Sequence, residues 1–412
     1  MRQTPSPASQ PSHPSHRTRR RGVGAGPAHD EYDVVVVGAR VAGAATAMLL
    51  ARRGLRVLCV DRAAAGSDTL STHTLVRGGV LQLERWGLLD RLRAAGTPRG
   101  TTIEFHYGGE PLRLDLSGDD GSGGLYSPRR TVLDPMLADA AREAGAEVHH
   151  LVPVSGLVTD AGRVAGVHLG RGSSVRAVRA RWVVGADGIR SGVAAAAGAP
   201  AVHRERATST VVYGYWRGVR DDVIVNVFDR RGRAAGIFPT NDGLANVWVA
   251  LPPRDYEREV RGDIRGAYHR LVAEDPTASR LLRGATPAGG YRSFPGMPGF
   301  LRRAHGPGWA LVGDAGYWKD PVSAHGITDA LISAELLADA LGDVLLAGAD
   351  PREALGGYEQ RRDAGAAALM PPTARLAAMD LDGPAAMLAF REIAGALRRE
   401  VEELEARAVA AP

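Results

Sequence analysis

The stretch from Tyr32 to Arg62, YDVVVVGARVAGAATAMLLARRGLRVLCVDR, constrains the fold more than any other part of the chain. A β-branched run meets a glycine turn, a helix of small residues follows, Gly54 breaks it, and a second apolar strand ends on Asp61. That order predicts a βαβ unit. Gly38 allows the tight turn and Gly43 allows the helix to lie close to the strand, while the helix N-terminus offers free N–H groups and a dipole to a pyrophosphate. Asp61 is placed to accept hydrogen bonds from an adenosine ribose, so the unit is read as dinucleotide-binding. Arg40 stands where the middle glycine of the fingerprint would be. Either the backbone approaches the phosphates less closely there, or the guanidinium contacts them.

Two distant stretches bear on which dinucleotide it is. Residues 181–191 read RWVVGADGIRS, a strand ending in Ala-Asp-Gly, and residues 308–330 read GWALVGDAGYWKDPVSAHGITDA. Both resemble signatures of the flavoprotein family that includes para-hydroxybenzoate hydroxylase and the aromatic-ring monooxygenases. The resemblance runs from about Tyr32 to Leu346, with three motifs in the family's order. It implies FAD as the cofactor, with NAD(P)H as a transient reductant. It also implies that Gly313-Asp314 meets the ribityl or pyrophosphate region and that Asp187-Gly188 structures a loop serving FAD. Arg130, in SPRRTVLDPML, resembles the family's cofactor-facing arginine, and Arg77, in THTLVRGGVLQLERWGLL, its second. Arg62, beside Asp61, joins the cofactor set. Tyr317 stands where the family often has His, and the Lys319-Asp320-Pro321 run is similar to flavin halogenases and geranylgeranyl reductases as well as to hydroxylases.

The last motif also has a physical reading. Pro321 to Gly326 is turn-rich and Ile327 opens a helical pattern, so the N–H groups at Gly326 and Ile327 can stabilise negative charge on a bound ring. His73, in Ser71-Thr72-His73, and His325 are candidate proton-transfer residues, because imidazole titrates nearest neutral pH. Pro321 completes the candidate catalytic set.

The predicted architecture is α/β: a Rossmann-like FAD-binding domain, an inserted, mainly antiparallel substrate sheet and C-terminal helices. The boundaries read as a disordered tail over 1–30, an FAD-binding domain from 31–100, 128–200 and 297–347, a substrate domain from 101–127 and 201–296, and a helical region over 348–412. Strand patterns at 102–107, 112–116, 209–217, 223–229, 234–239 and 244–251 supply the second sheet. In the family such a sheet roofs the substrate cavity, which makes Tyr213, Tyr215, Trp216, Phe238 and Trp248 candidate substrate contacts. The helical region is expected to break at Pro371-Pro372 and Gly383-Pro384. In its last helix Phe390, Ile393, Leu397, Val401 and Leu404 form a stripe that packs on the body or seams a homodimer.

Charge excludes one class. The formal net charge of +5 sits mostly in the first thirty residues, which hold five arginines and one aspartate. Without a basic folded surface, nucleic acid is not an expected partner. Arg19-Arg20-Arg21 leads into glycines instead of an apolar segment, so no export signal is read. The lone cysteine, Cys59, rules out intrachain disulfides and Cys-based metal sites, and fits a cytoplasmic location. Lys319 is the only lysine among 51 basic residues. The expected activity is an FAD-dependent monooxygenase hydroxylating an aromatic or polycyclic small molecule. The alternatives are a reductase of isoprenoid double bonds, or a halogenase or monooxygenase fed by a separate flavin reductase.

Overall fold

The computed structural model describes residues 27–107, 110–118, 123–228, 232–381 and 383–410. Most of the expected tail, residues 1–26, lies outside them. The chain folds around two sheets. The first is built on five parallel strands in the order Trp309–Leu311, Arg176–Gly185, Glu31–Val37, Val57–Asp61 and Glu147–His150. Val34, Val35 and Val36 are fully buried because both faces of this sheet are covered. Ala44, Met48 and Leu50 pack on one face with Leu331 and Leu337 of the helix Gly326–Leu346, and Val164, Val167 and Val193 pack on the other.

The glycine turn works by steric clearance. Gly38 has φ of 109°, and a Cβ there would strike the Ala186 carbonyl; a Cβ on Gly43 would strike the carbonyl of Gly38. Only glycine lets the helix Val41–Arg52 start that close to the strand ends.

The second sheet has seven strands, ordered Thr286–Phe294, Thr210–Arg217, Leu244–Leu251, Ala234–Thr240, Val223–Phe228, Thr102–His106 and Leu112–Asp115. All neighbours are antiparallel except Val223–Phe228 with Thr102–His106. Alternation divides its faces. Val212, Trp216, Val247 and Val249 pack under the helix Ile264–Glu274, while Val211, Tyr213, Tyr215 and Trp248 meet Val76 and Val322 on the opposite face. The edge strand Thr286–Phe294 escapes a pattern reading because Gly289-Gly290 interrupts it.

One helix departs from expectation. Pro351–Ala377 runs through Pro371-Pro372 without ending there. Each proline removes a backbone donor at a cost of about 3 kcal/mol in a helix interior. Packing outweighs that cost: Leu369, Met370, Pro372 and Leu376 are buried, partly against Ala386, Ala389 and Ile393 of the helix Gly383–Ala410.

Candidate functional site

A cavity of about 780 Å³ opens where the parallel strands end and the second sheet leans over them. Its floor is the glycine turn. Gly38, Arg40, Asp61, Arg62, Asp187, Gly188 and Asp314 line it together with Arg130, and Pro321, His325, Gly326 and Ile327 close one end. Three segments remote in sequence thus share one wall.

Each cofactor candidate has a definite placement. The Asp61 carboxylate accepts from Ala39 N at 2.9 Å and Ala63 N at 2.7 Å, which fixes it while leaving lone pairs for ribose hydroxyls. Arg130 donates to Asp134 through Nε and Nη2, at 2.8 and 3.0 Å, and Asp134 also lies 4.0 Å from Arg40. One guanidinium nitrogen of Arg40, Nη1, is buried with no hydrogen-bond partner. That nitrogen faces Asp134 only at 4.0 Å, beyond hydrogen-bonding reach, at the N-cap of the helix Val41–Arg52, and a pyrophosphate would complete its bonding. Asp187 accepts from Gly192 N at 2.7 Å and from Ser191 Oγ at 2.5 Å, so it caps the next helix and shapes the loop. Asp314 is enclosed by protein yet opens onto the cavity, and burial raises its carboxyl to about 6 against the opposing pull of Arg130 and Lys319.

Three expected cofactor residues do not line the wall. Gly43 and Gly313 stand behind it, Gly313 with φ of 58° and no room for a Cβ against Ala42. Arg77 opens the helix Arg77–Arg85, whose Gly78 and Gly79 pack under Thr328, and this places it off the cavity lining.

The aromatic set needs a larger correction. Among Tyr213, Tyr215, Trp216, Phe238 and Trp248, the cavity is lined by Tyr213 alone. Tyr215, Phe238 and Trp248 share its face but are buried in an apolar cluster. Trp216 points the other way and donates its indole N–H to the Tyr268 hydroxyl at 2.8 Å. Side chains alternate along a strand, so Tyr215 and Trp216 could never both face the cavity. Trp216→Phe should therefore cost about 1–2 kcal/mol of stability in denaturant titration while leaving KM unchanged. A shifted KM at unchanged stability would return Trp216 to the substrate wall. The sheet-side wall is instead Val211, Tyr213, Phe294, Pro295 and Trp318, mostly apolar.

His73 also changes role. It lies on the wall with backbone φ of 71°, fully buried, its Nε2 2.6 Å from the Tyr215 hydroxyl. Burial first, then Arg130 and Arg129, push its imidazole down to about 3. At that value it is the neutral imidazole at physiological pH, a weak base carrying a single N–H, and not a reservoir of an extra proton. Ala324, with φ of 52°, is a second wall residue in the left-handed region, and such backbone strain concentrates at functional sites.

The proton-bearing groups lie at the other end. Lys319 is buried, in contact with the Asp329 carboxylate and 3.4 Å from His325 Nδ1. His325 lies 3.0 Å from Asp329 through Nδ1 and 3.1 Å from Glu400 through Nε2. Burial pushes Lys319 down to about 7, and burial also lowers His325. Asp320 is different: it accepts from Ser209 N, Ser209 Oγ, Thr208 Oγ1 and Val322 N, and so ties the cofactor loop to the second sheet. The sequence offered a signal for Lys319, as the sole lysine, but none for Asp329 or Glu400, which look like ordinary solvated helix charges.

The model of a family described as "FAD binding domain" matches residues 31–373. The chain is 29% identical over 328 residues to digeranylgeranylglycerophospholipid reductase 2 of Methanopyrus kandleri, covering 76% of this chain and 78% of the relative. Among solved structures, PqsL of P. aeruginosa in complex with 2-aminobenzoylacetate superposes with a TM-score of 0.74 at 25% identity, over 89% of this chain and all of that one. A flavin-dependent brominase, at 20% identity and a TM-score of 0.75 over 91% and 93% of the two chains, shares the fold. Among the described residues no helix is long and apolar enough to cross a membrane.

Proposed function

The chain belongs to the FAD binding domain family and is an FAD-dependent oxidoreductase, and from that premise we propose that it reduces carbon–carbon double bonds of an isoprenoid-type substrate. The observation that carries this reading is one cavity joining an apolar wall to a single buried ammonium, Lys319, held against Asp329 and His325, which burial pushes down from its ordinary value. The M. kandleri relative, a reductase by name, supplies the substrate class.

When bound and reduced by NAD(P)H or a separate reductase, FAD would supply a hydride equivalent to one alkene carbon. The other carbon needs a proton from the protein. Lys319 is the group able to hold that proton near pH 7 and release it. Val211, Tyr213, Phe294 and Trp318 would receive the prenyl chain and exclude water, which keeps the proton and the reducing equivalent from being lost to solvent. Arg40, Arg130, Asp61 and the N–H groups at Gly326 and Ile327 would bind and orient the cofactor, with Asp187 and Gly188 shaping the loop beside it.

A second reading, hydroxylation of an aromatic small molecule, draws on the likeness to PqsL, described as a probable FAD-dependent monooxygenase, and on the aromatic residues of the same wall. Oxygen separates the two. FAD-loaded protein, photoreduced and mixed anaerobically with a prenyl lipid, is expected to yield product carrying two added hydrogens per reduced bond. Substrate returned unchanged without oxygen, with aromatic compounds hydroxylated on its admission, would hand the protein to the second reading.

A further inference from the structure

Glu400 lies on the helix Gly383–Ala410, beyond residues 31–373 matched by the family model, yet it touches His325, which lines the cavity. Its Oε1 stands 3.1 Å from His325 Nε2, and that histidine is fully buried. Two features make the contact a built one. Phe390 and Ile393 of the same helix are packed in, Phe390 against Phe105, Tyr107 and Phe228, and this fixes the helix on the protein. Gly78, on the helix beneath, has no side chain where a methyl would collide with the Glu400 carboxylate.

The hydrogen-bond bookkeeping of this cluster is unusual. His325 faces a carboxylate with each ring nitrogen, Asp329 at Nδ1 and Glu400 at Nε2. A neutral imidazole has one N–H, so it would turn a lone pair toward the other carboxylate. The arrangement is satisfied when the ring carries both protons, when one carboxylate is protonated, or when the Lys319 ammonium donates to an unprotonated Nδ1 while Nε2–H donates to Glu400. Lys319 lies against Asp329 and approaches the same Nδ1. We propose that Glu400 is a positioning residue: through His325 it holds a shared proton in the Lys319–Asp329–His325–Glu400 cluster, ready to restore the lysine after each proton delivery. The role in delivery rests on the reductase reading above; the effect of Glu400 on His325 does not.

The charged groups facing His325 are Lys319 from the cofactor loop, Asp329 from its own helix and Glu400 from the last helix. Asp314 acts on it at one remove, through Lys319, and Arg77 opens the helix that carries Gly78. Glu400 favours the charged forms of both His325 and Lys319. Neutralising it should therefore move both titrations to lower pH.

The test uses FAD-loaded full-length protein labelled with 15N-histidine, with His325→Gln to assign the resonance. Glu400→Gln should shift the His325 titration, or its tautomer balance, downward by about one pH unit, and the pH profile of turnover should move the same way. Gly78→Ala is the second variant. It improves helix propensity and leaves Glu400 in place chemically, but displaces its carboxylate, so it should reproduce the Glu400→Gln shift in a stably folded protein. An unmoved His325 resonance and an unmoved pH profile in both variants would overturn the proposal. A moved resonance in protein that reduces no prenyl substrate would support the role of Glu400 toward His325 and defeat the reading of the reaction instead.

Discussion

An Asp314→Asn chain is expected to bind FAD about 10- to 100-fold more weakly, the equivalent of one lost charge-assisted hydrogen bond. Its apoprotein should nevertheless be more stable than the parent at neutral pH. The two effects have one cause. Burial raises the Asp314 carboxyl to about 6, above its ordinary value near 4. A carboxyl whose folded value is raised contributes stability below its unfolded value and loses it as pH climbs through the folded one. At pH 7 the parent thus holds an ionised carboxylate that the fold disfavours. Two pH units correspond to about 3 kcal/mol; water in the open cavity screens part of this, leaving roughly 2 kcal/mol for asparagine to recover. Thermal melts of the two apoproteins should separate at pH 8 and converge below pH 4, while flavin content is read from visible absorption after gel filtration. Normal flavin retention by the variant would remove Asp314 from the cofactor site. The expected pattern, in contrast, would show an acid kept at a cost to the fold for the sake of its ligand.

Legibility in the sequence followed the range of the interactions concerned. The floor of the cavity could be read because its chemistry is local: a glycine needing positive φ, a helix start and an acidic strand end fall within Tyr32–Arg62, and the backbone fixes their geometry. The six strand patterns of the second sheet were visible for the same reason, since alternation is a property of neighbours along the chain. Which face each strand turns to the cavity is a tertiary fact. Residue type alone puts Tyr215 on the wall, whereas the fold buries it behind His73. Residue type alone makes His73 a proton carrier at the ordinary imidazole value, whereas burial, with Arg130 and Arg129 nearby, lowers that value and favours the neutral ring. Glu400 sits 75 residues from its partner His325, in the charge-rich run REVEELEAR, where no local pattern separates a half-buried, paired acid from a solvated one.

Lys319→Met should lower turnover by about 10²- to 10⁴-fold, the span expected when a positioned general acid is removed. FAD affinity should change little, because methionine keeps most of the aliphatic volume and Arg40 and Arg130 remain. The parent's rate is expected to be high below pH 7 and to fall as pH rises through it, since a general acid works only while protonated and burial sets Lys319 near that value. The variant's residual rate should lack this limb. Lys319→Arg is the sharper comparison: it preserves the charge and the ion pair with Asp329 but installs a guanidinium that stays protonated throughout the accessible pH range. If Lys319 only anchored the loop, arginine would be tolerated, as it is at the 50 other basic positions among the chain's 51. If Lys319 delivers the proton, arginine should be nearly as damaging as methionine, with the substrate still bound and the reduced cofactor waiting. Full turnover by Lys319→Arg would therefore reject proton delivery from this residue and leave it a structural cation. A rate collapse with normal FAD binding would explain why a chain otherwise committed to arginine carries its single lysine at the edge of the cavity.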